Sequence, residues 1–359
     1  MDYFLISNMY PDTNSPGYGS FVRNVVDGLS QNGMNCKYSA LIVGKPSSFL
    51  QKCIKYLMFY ICILKHYFKK YDFLYIHYPN HALPCLIPCY FIKKQKIIIN
   101  LHGEDLLYKN NGVSSLLGKL NDFFLKKADA VVVPSDYFKN IVIERINDAT
   151  KEIIVSPSGG IDAKRFPPKT FSKDTGSIMH IGYVGRIDPN KGWREFMDTI
   201  VLLKKSIKFK ATIIGYGSEV SQLQSLLSSN NFDSVDYIPK VPQESLSKYY
   251  SCFDLLIFPS MRKEESLGLV GIEAMACGTP VVGSNIGGIP SYLKHGYNGY
   301  LVAPGNINEI VNYIIEYSQL NSSQKELLYT NCLETSKNYF SERVIKDLSV
   351  SFARIAIKQ

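Results

Sequence analysis

The sequence predicts an α/β protein of two domains, each a parallel sheet with helices on its faces. Three observations carry this. The chain has 359 residues, too long for one small core and suited to two domains of about 170 residues each. Short apolar runs alternate with helix-period segments along both halves, the pattern of buried parallel strands and their crossovers. A polar stretch without periodicity at 169–177 divides the two series, giving domains at 1–168 and 177–340.

Residues 3–7 read as the first strand. The loop after it carries Pro16-Gly17-Tyr18-Gly19 and opens a helix whose apolar Phe21, Val22, Val25, Val26 and Leu29 share one face, with Gly33 as its stop. Strand, glycine loop and helix together let backbone approach a phosphate, although a plain βα turn has the same composition. Residues 47–70 read as a helix with an apolar centre at 56–64, lysines on both sides, and Phe49, Tyr56, Phe59, Tyr60, Tyr67 and Phe68 interleaved. It is either an interfacial helix with its aromatic face on an anionic bilayer, or a buried helix whose lysines snorkel to solvent. A mixed case fits both features: a core helix with a basic outer surface in peripheral membrane contact. Residues 72–79 form a second buried strand, with His77 a packed core or acceptor-side residue. Pro84 and Pro88 mark a helical segment, and a third strand at 96–100 runs into His102-Gly103. A histidine at the carboxyl end of a parallel strand stands where open α/β sheets bind ligands. Strands at 128–133 and 153–162 follow, and Phe166-Pro167-Pro168 closes the domain.

The second domain opens with a strand at 180–185, then Gly185-Arg186, then Lys191-Gly192 before a helix. This sets a guanidinium fork and an ammonium beside the sheet's carboxyl edge, as a diphosphate leaving group needs; two surface cations at a turn are the alternative. Strands follow at 211–217 and 235–241, a short helix at 244–250, and a strand at 252–260. Glu265 then lies in a polar loop ending near Gly268, before a helix at 269–277, a left-handed stop at Gly278 and a strand from Pro280. Glu273 lies inside that apolar helix, where an unpartnered carboxylate is costly. A polar ligand at the helix N-terminus accounts for both acids, with amides for an anion and carboxylates for hydroxyls. A solvent-facing Glu273 is the alternative. Gly287-Gly288, a turn at Asn298-Gly299, a helix at 308–317 and a last helix at 341–358 complete the chain.

Charge is uneven. The net charge is +9, and residues 1–170 hold 21 Lys and Arg against 13 Asp and Glu. No acid occurs between Asp27 and Asp72, where Lys37, Lys45, Lys52, Lys55, Lys65, Lys69 and Lys70 do. The asymmetry points to something acidic near the first domain. The eight cysteines form no C-x-x-C pair and several sit in apolar runs, which reads as reduced thiols in a cytoplasm. No signal peptide and no apolar run of about 18 residues is evident.

Glu265-Ser266-Leu267-Gly268 followed by Glu273-Ala274-Met275-Ala276 resembles the E-x7-E signature of family 4 retaining glycosyltransferases. Phe258-Pro259-Ser260 and Gly278-Thr279-Pro280-Val281-Val282 resemble that family's usual flanks. Leu267 departs from it, an aromatic residue being more common there. His102-Gly103 is similar to the family's H-G motif, and Pro157-Ser158-Gly159-Gly160-Ile161-Asp162 with Phe166 to its P-N-G-V-D-x-x-x-F motif. The resemblance implies a GT-B fold: two Rossmann-like doubly wound domains facing a cleft, with a C-terminal helix, 341–359, crossing back. It implies a UDP- or GDP-sugar donor and retention of configuration. Arg186 and Lys191 would bind the diphosphate, Glu273 the ribose, and Glu265 and His102 the donor sugar. The loop of Gly17 and Gly19 would lie over the diphosphate and acceptor. Gly185, Leu267, Gly268 and Leu269 would border the donor, and Lys240 and Val241 the base. No cofactor or metal is expected: the sequence lacks Asp-x-Asp, and the two cations replace a metal clamp.

Charge and resemblance together give a hexosyltransferase acting on a lipid-linked saccharide for a bacterial surface polysaccharide, held peripherally at an anionic inner membrane face. Its partners would be the donor, the acceptor and the membrane, with no nucleic acid. A GT-B protein that binds a sugar nucleotide without transferring it is one rival. A basic nucleic-acid-binding protein is another, disfavoured because no RRM, KH or zinc-finger pattern is present. A phosphorylase or nucleotide-sugar epimerase ranks lower.

Overall fold

The computed structural model describes residues 1–103, 105–106, 112–171, 178–229 and 232–357, the side chains of 112–117 excepted. Residues 172–177 of the predicted linker and Lys358 of the predicted last helix lie outside the described residues. Two compact units emerge, Met1–Gly160 with Ser341–Gln359, and Ile161–Phe340.

The first unit runs β1 (Asp2–Tyr10), α1 (Ser20–Gln31), β2 (Asn35–Val43), α2 (Phe49–Tyr67), β3 (Phe73–His77), α3 (Leu83–Ile92), β4 (Ile97–Asn100), α4 (Gly112–Lys127), β5 (Ala130–Val133), α5 (Asp136–Ile146) and β6 (Ile153–Val155). Its strands form one parallel sheet in the order β2-β1-β3-β4-β5-β6. Both faces are covered, which is why β5 is apolar throughout and β3 and β4 are apolar up to their last residues, His77 and Asn100. Alternate residues serve two cores. Phe4, Ile6, Leu74, Ile76, Ile97 and Ile99 face the side of α2 and α3. Tyr3, Leu5, Phe73, Tyr75 and Ile98 face the side of α1.

In α2, Tyr56, Phe59, Tyr60, Ile63 and Tyr67 recur at helical spacing and turn to the core. Expectation and structure differ here. The outer face of α2 is mainly aliphatic rather than aromatic or basic, because Tyr56, Phe59, Tyr60 and Tyr67 bury more area and take the inward stripe, leaving only Phe49 and Phe68 exposed at its two ends.

The second unit runs β7 (Met179–Val184), α6 (Trp193–Leu203), β8 (Phe209–Ile214), α7 (Val220–Ser229), β9 (Val235–Ile238), α8 (Leu246–Cys252), β10 (Leu255–Phe258), α9 (Leu269–Ala276), β11 (Val281–Ser284), β12 (Gly299–Val302), α10 (Ile307–Gln319) and α11 (Ser322–Lys337). The sheet order is β12-β11-β10-β7-β8-β9, again parallel. Its order reverses between β7 and β10, and the carboxyl ends of those strands open the crevice where such sheets take ligands. Residues 161–168, read as the close of the first domain, pack in this unit: the Phe166 ring lies 6.0 Å from that of Tyr250, and Ile161 N donates to Tyr339 O at 2.8 Å. Gly278, at φ +79°, ends α9 as the sequence requires. The long α11 was not foreseen; its signal is the capping box of Asn321 and Gln324.

A last helix, α12 (Ser341–Ile357), returns to the first unit. Its Ile345, Leu348, Phe352 and Ile355 form one stripe on the α1 side of the sheet.

Candidate active site

At the carboxyl edge of the second sheet a cavity of about 270 Å³ gathers Gly185, Arg186, Lys191, Val241, Glu265, Gly268 and Leu269. A larger hollow of about 480 Å³ holds none of the predicted site residues. The cavity is braced from beneath by Tyr183, whose buried hydroxyl donates to Arg186 O at 3.1 Å and to Lys191 O at 3.0 Å. Burial pushes that hydroxyl's pKa up, with Glu265 adding to it, so it stays a donor at neutral pH. The loop between the two cations is thereby held. Gly192, at φ +89°, lies hard against Pro259 O, where a Cβ would not fit. Lys191 Nζ lies 2.9 Å from Glu265 Oε2, and the side chains are only 18% and 11% exposed. Ser260 Oγ donates to the same oxygen at 3.1 Å. Arg186 stands out toward solvent, with Nη2 2.6 Å from Asp188 Oδ2.

The loop before α9 is held from outside. Gly288 N donates to Glu265 O at 2.8 Å, and Tyr292 Oη donates to Gly268 O at 3.1 Å. Gly268, at φ +78°, then turns the chain into α9, whose first residues Leu269 and Val270 line the cavity. A helix N-terminus leaves its first N–H groups without intrahelical partners and carries positive potential. Three predicted residues stand back. Leu267 is buried in the core below, since an aliphatic chain has nothing to offer a polar ligand. Lys240 lies outside the lining, its Nζ 5.5 Å from the Tyr216 ring that does line it. Glu273 is buried, and its partners come from the protein: Tyr250 Oη donates to Oε2 at 2.9 Å and Gln243 Nε2 to Oε1 at 3.1 Å. Arg165 in turn holds Gln243 Oε1 at 2.9 Å. Burial raises the Glu273 pKa, and the bonds from Tyr250 and Gln243 oppose the rise. Sequence reasoning missed Tyr183, Gln243, Tyr250 and Tyr292, because nothing local marks a hydroxyl or amide that serves a residue far along the chain.

In the first unit, His102 Nε2 lies 3.0 Å from His77 Nδ1, with the rings stacked at 17°. Tyr78 stacks on His102 at 4.5 Å and Phe21 lies 4.6 Å away. His102 N and Gly103 N both donate to the Asp105 carboxylate, at 2.9 Å to its Oδ1. Burial lowers the His102 pKa to about 3, and burial together with His102 lowers that of His77. Gly19, at φ +72°, heads α1 where a Cβ would sit 2.6 Å from the Met9 carbonyl. Gly17 has open space around it.

Two parallel, doubly wound units, one with a pocket holding Arg186 and Lys191 at its switch point, define a Rossmann-like α/β protein. The family follows from comparison. Residues 21–165 match the model of Glycosyltransferase Family 4, and residues 169–331 that of Glycosyl transferases group 1. The chain belongs to glycosyltransferase family 4. An uncharacterized glycosyltransferase of Methanocaldococcus jannaschii is 27% identical over 69% of this chain and 65% of its own. N-acetyl-alpha-D-glucosaminyl L-malate synthase of Bacillus anthracis is 25% identical over 74% and 76%. The amylovoran biosynthesis glycosyltransferase AmsK of Erwinia amylovora is 30% identical over 42% and 40%. The chain thus spans between two fifths and about three quarters of these relatives. Sucrose-phosphate synthase of Thermosynechococcus elongatus superposes with a TM-score of 0.76 at 19% identity, covering 98% of each chain. Anabaena HepE, solved with UDP and glucose, gives 0.72 at 17% identity over 99% of each. The fold is that of the GT-B glycosyltransferases.

Proposed function

We propose that this chain transfers a hexosyl unit, with retention, from a UDP- or GDP-sugar to a lipid-linked saccharide. The observation that carries the reading is the Lys191–Glu265 pair, 2.9 Å apart at the mouth of α9. Negative charge builds on the diphosphate as the glycosidic bond breaks. Lys191, Arg186 and the N-terminus of α9 meet that charge in a partly desolvated pocket, where fixed donors act most strongly. A phosphate arriving at Lys191 competes for the ammonium and leaves the Glu265 carboxylate to the sugar's hydroxyls. The pair therefore keeps both side chains in place before the donor arrives. Glu273, held by Tyr250 and Gln243, offers its remaining lone pairs to the ribose, and His102 orients the sugar. The cations take the part a metal would otherwise play. HepE, crystallised with UDP and glucose, supports the donor class, and AmsK, named for amylovoran biosynthesis, supports a surface-polysaccharide acceptor. The basic first domain supports a cytoplasmic, peripheral position at an anionic membrane.

A thermal-shift screen with UDP-glucose, UDP-N-acetylglucosamine, GDP-mannose and their nucleotides tests the donor site, because a specific ligand stabilises by mass action. One of these is expected to raise Tm, and Lys191→Ala to abolish the shift. With that donor, Lys191→Ala and Glu273→Ala are expected to cut turnover about a hundredfold or more while circular dichroism stays unchanged. No shift with any of them at millimolar concentration, or near-normal turnover in Lys191→Ala, sinks the reading.

A further inference from the structure

Among the described residues no helix is long and apolar enough to cross a membrane. Yet the outer face of α2 carries Leu50, Ile54, Leu57, Ile61, Leu64 and Phe68 at alternating spacings of four and three, each 44–70% exposed. Six large apolar side chains in one stripe do not stand in water without a partner surface. The helix's own core contacts lie on its other side, through Phe59, Ile63 and Tyr67. The C-terminus of α2 is tied to the end of α3, which has exposed apolar side chains of its own. Tyr67 Oη donates to Lys93 O at 2.9 Å, and Phe91 and Ile92 just before it are 71% and 75% exposed. Cations gather at that end: Lys65, Lys69, Lys70, Lys93 and Lys94 are all exposed. Lys55 is not among them, since its Nζ donates to the carbonyls of Val43 and Gly44 at 2.6 and 2.8 Å.

We propose that α2 lies flat in an anionic lipid surface, its Leu50–Phe68 stripe sunk to the acyl boundary and the lysines around the C-terminal ends of α2 and α3 at the headgroups. A stripe with aliphatic side chains at its centre and lysines at its edge and end is what an interfacial helix presents to a bilayer. No acid between Asp27 and Asp72 offsets those lysines, so the face attracts anionic headgroups. A second copy of the chain fits less well, because it would bring the same lysines together. The proposal rests on the membrane-held acceptor above and names the surface that meets that membrane. Aliphatic side chains insert together with Phe68, while Tyr56, Phe59, Tyr60 and Tyr67 stay in the core.

The test is flotation of the full chain with vesicles. Wild type is expected to float with phosphatidylcholine–phosphatidylglycerol vesicles at low salt and not with phosphatidylcholine alone. The exposed pair Leu57→Glu/Ile61→Glu should weaken this at least about tenfold, as should Lys65→Gln/Lys69→Gln/Lys70→Gln, the latter also flattening the salt dependence. Both variants should keep the wild-type Tm, so that lost binding is not lost fold. Failure of wild type to float at low salt overturns the proposal, and so does unchanged flotation of Leu57→Glu/Ile61→Glu. A concentration-dependent dimer in sedimentation, lost in that variant, also overturns it and assigns the stripe to a second copy. Flotation needs no sugar nucleotide, so a chain that floats but binds none loses the transferase reading and keeps this one.

Discussion

His77 and His102, 3.0 Å apart, share one proton position: a single N–H lies between them and a second has nowhere to point. Burial keeps both rings neutral in the fold. An unfolded histidine takes a proton below pH about 6.5. The unfolded chain therefore binds more protons as pH falls from that value, and stability is lost in the same direction; above it the contribution is fully present. The expected loss is about 1 kcal/mol per pH unit for each ring between pH 6.5 and 5. His77→Gln should show a shallower fall than wild type in urea denaturation at pH 7, 6 and 5. Parallel curves would mean that the pair does not titrate with folding. The residue scale is also where the sequence was least legible. That a carboxylate inside an apolar helix needs partners follows from its cost alone, so Glu273 stood out at once. That Tyr250 and Gln243 supply them does not, because hydrogen bonds between distant segments leave no local pattern.

Elements were far more legible than pairs. Apolar residues on one face gave α1, an apolar run between lysines gave α2 and an apolar run of small residues gave α9, with glycine marking the ends of α1 and α9, because burying a stripe and turning a chain both depend on neighbouring residues. α11 escaped because its core-facing residues are few and its polar ones many, and the outer face of α2 was misread because periodicity finds a stripe without saying which stripe the core takes. α9 shows how tightly an element can be set. Gly271 would ordinarily gain about 0.5–1 kcal/mol as alanine in a helix. Here the added Cβ runs into Tyr292 Oη, and that hydroxyl is held by Gly268 O. Gly271→Ala is therefore expected to cost about 1–3 kcal/mol by overpacking, and Tyr292→Phe to return part of it in a double-mutant cycle. A stabilised Gly271→Ala in thermal melts would show that the loop before α9 yields instead, and with it the cavity's rim.

At the scale of the whole molecule, chain order and structural membership part company. The last helix follows the second unit in sequence and belongs to the first in structure. Phe352 sets its ring 4.9 Å from Tyr75 and 5.4 Å from Phe73, and Lys96 Nζ donates to the Ile355 and Ala356 carbonyls at 3.2 and 2.6 Å, closing the helix end. One face of the first sheet is thus completed only when the chain's last residues arrive, while the second sheet's cores draw on residues between Ile161 and Leu328 or Cys332. Phe352→Ala removes a fully buried ring and should destabilise the first unit by about 3–5 kcal/mol. Hydrogen exchange should then quicken in β1, β3 and β4, and hold its wild-type rates in β7, β8 and β10, because local stability follows the core that a strand belongs to. Equal acceleration in both sets of strands would mean that the two cores unfold as one, and that the last helix stabilises the molecule rather than the unit it joins.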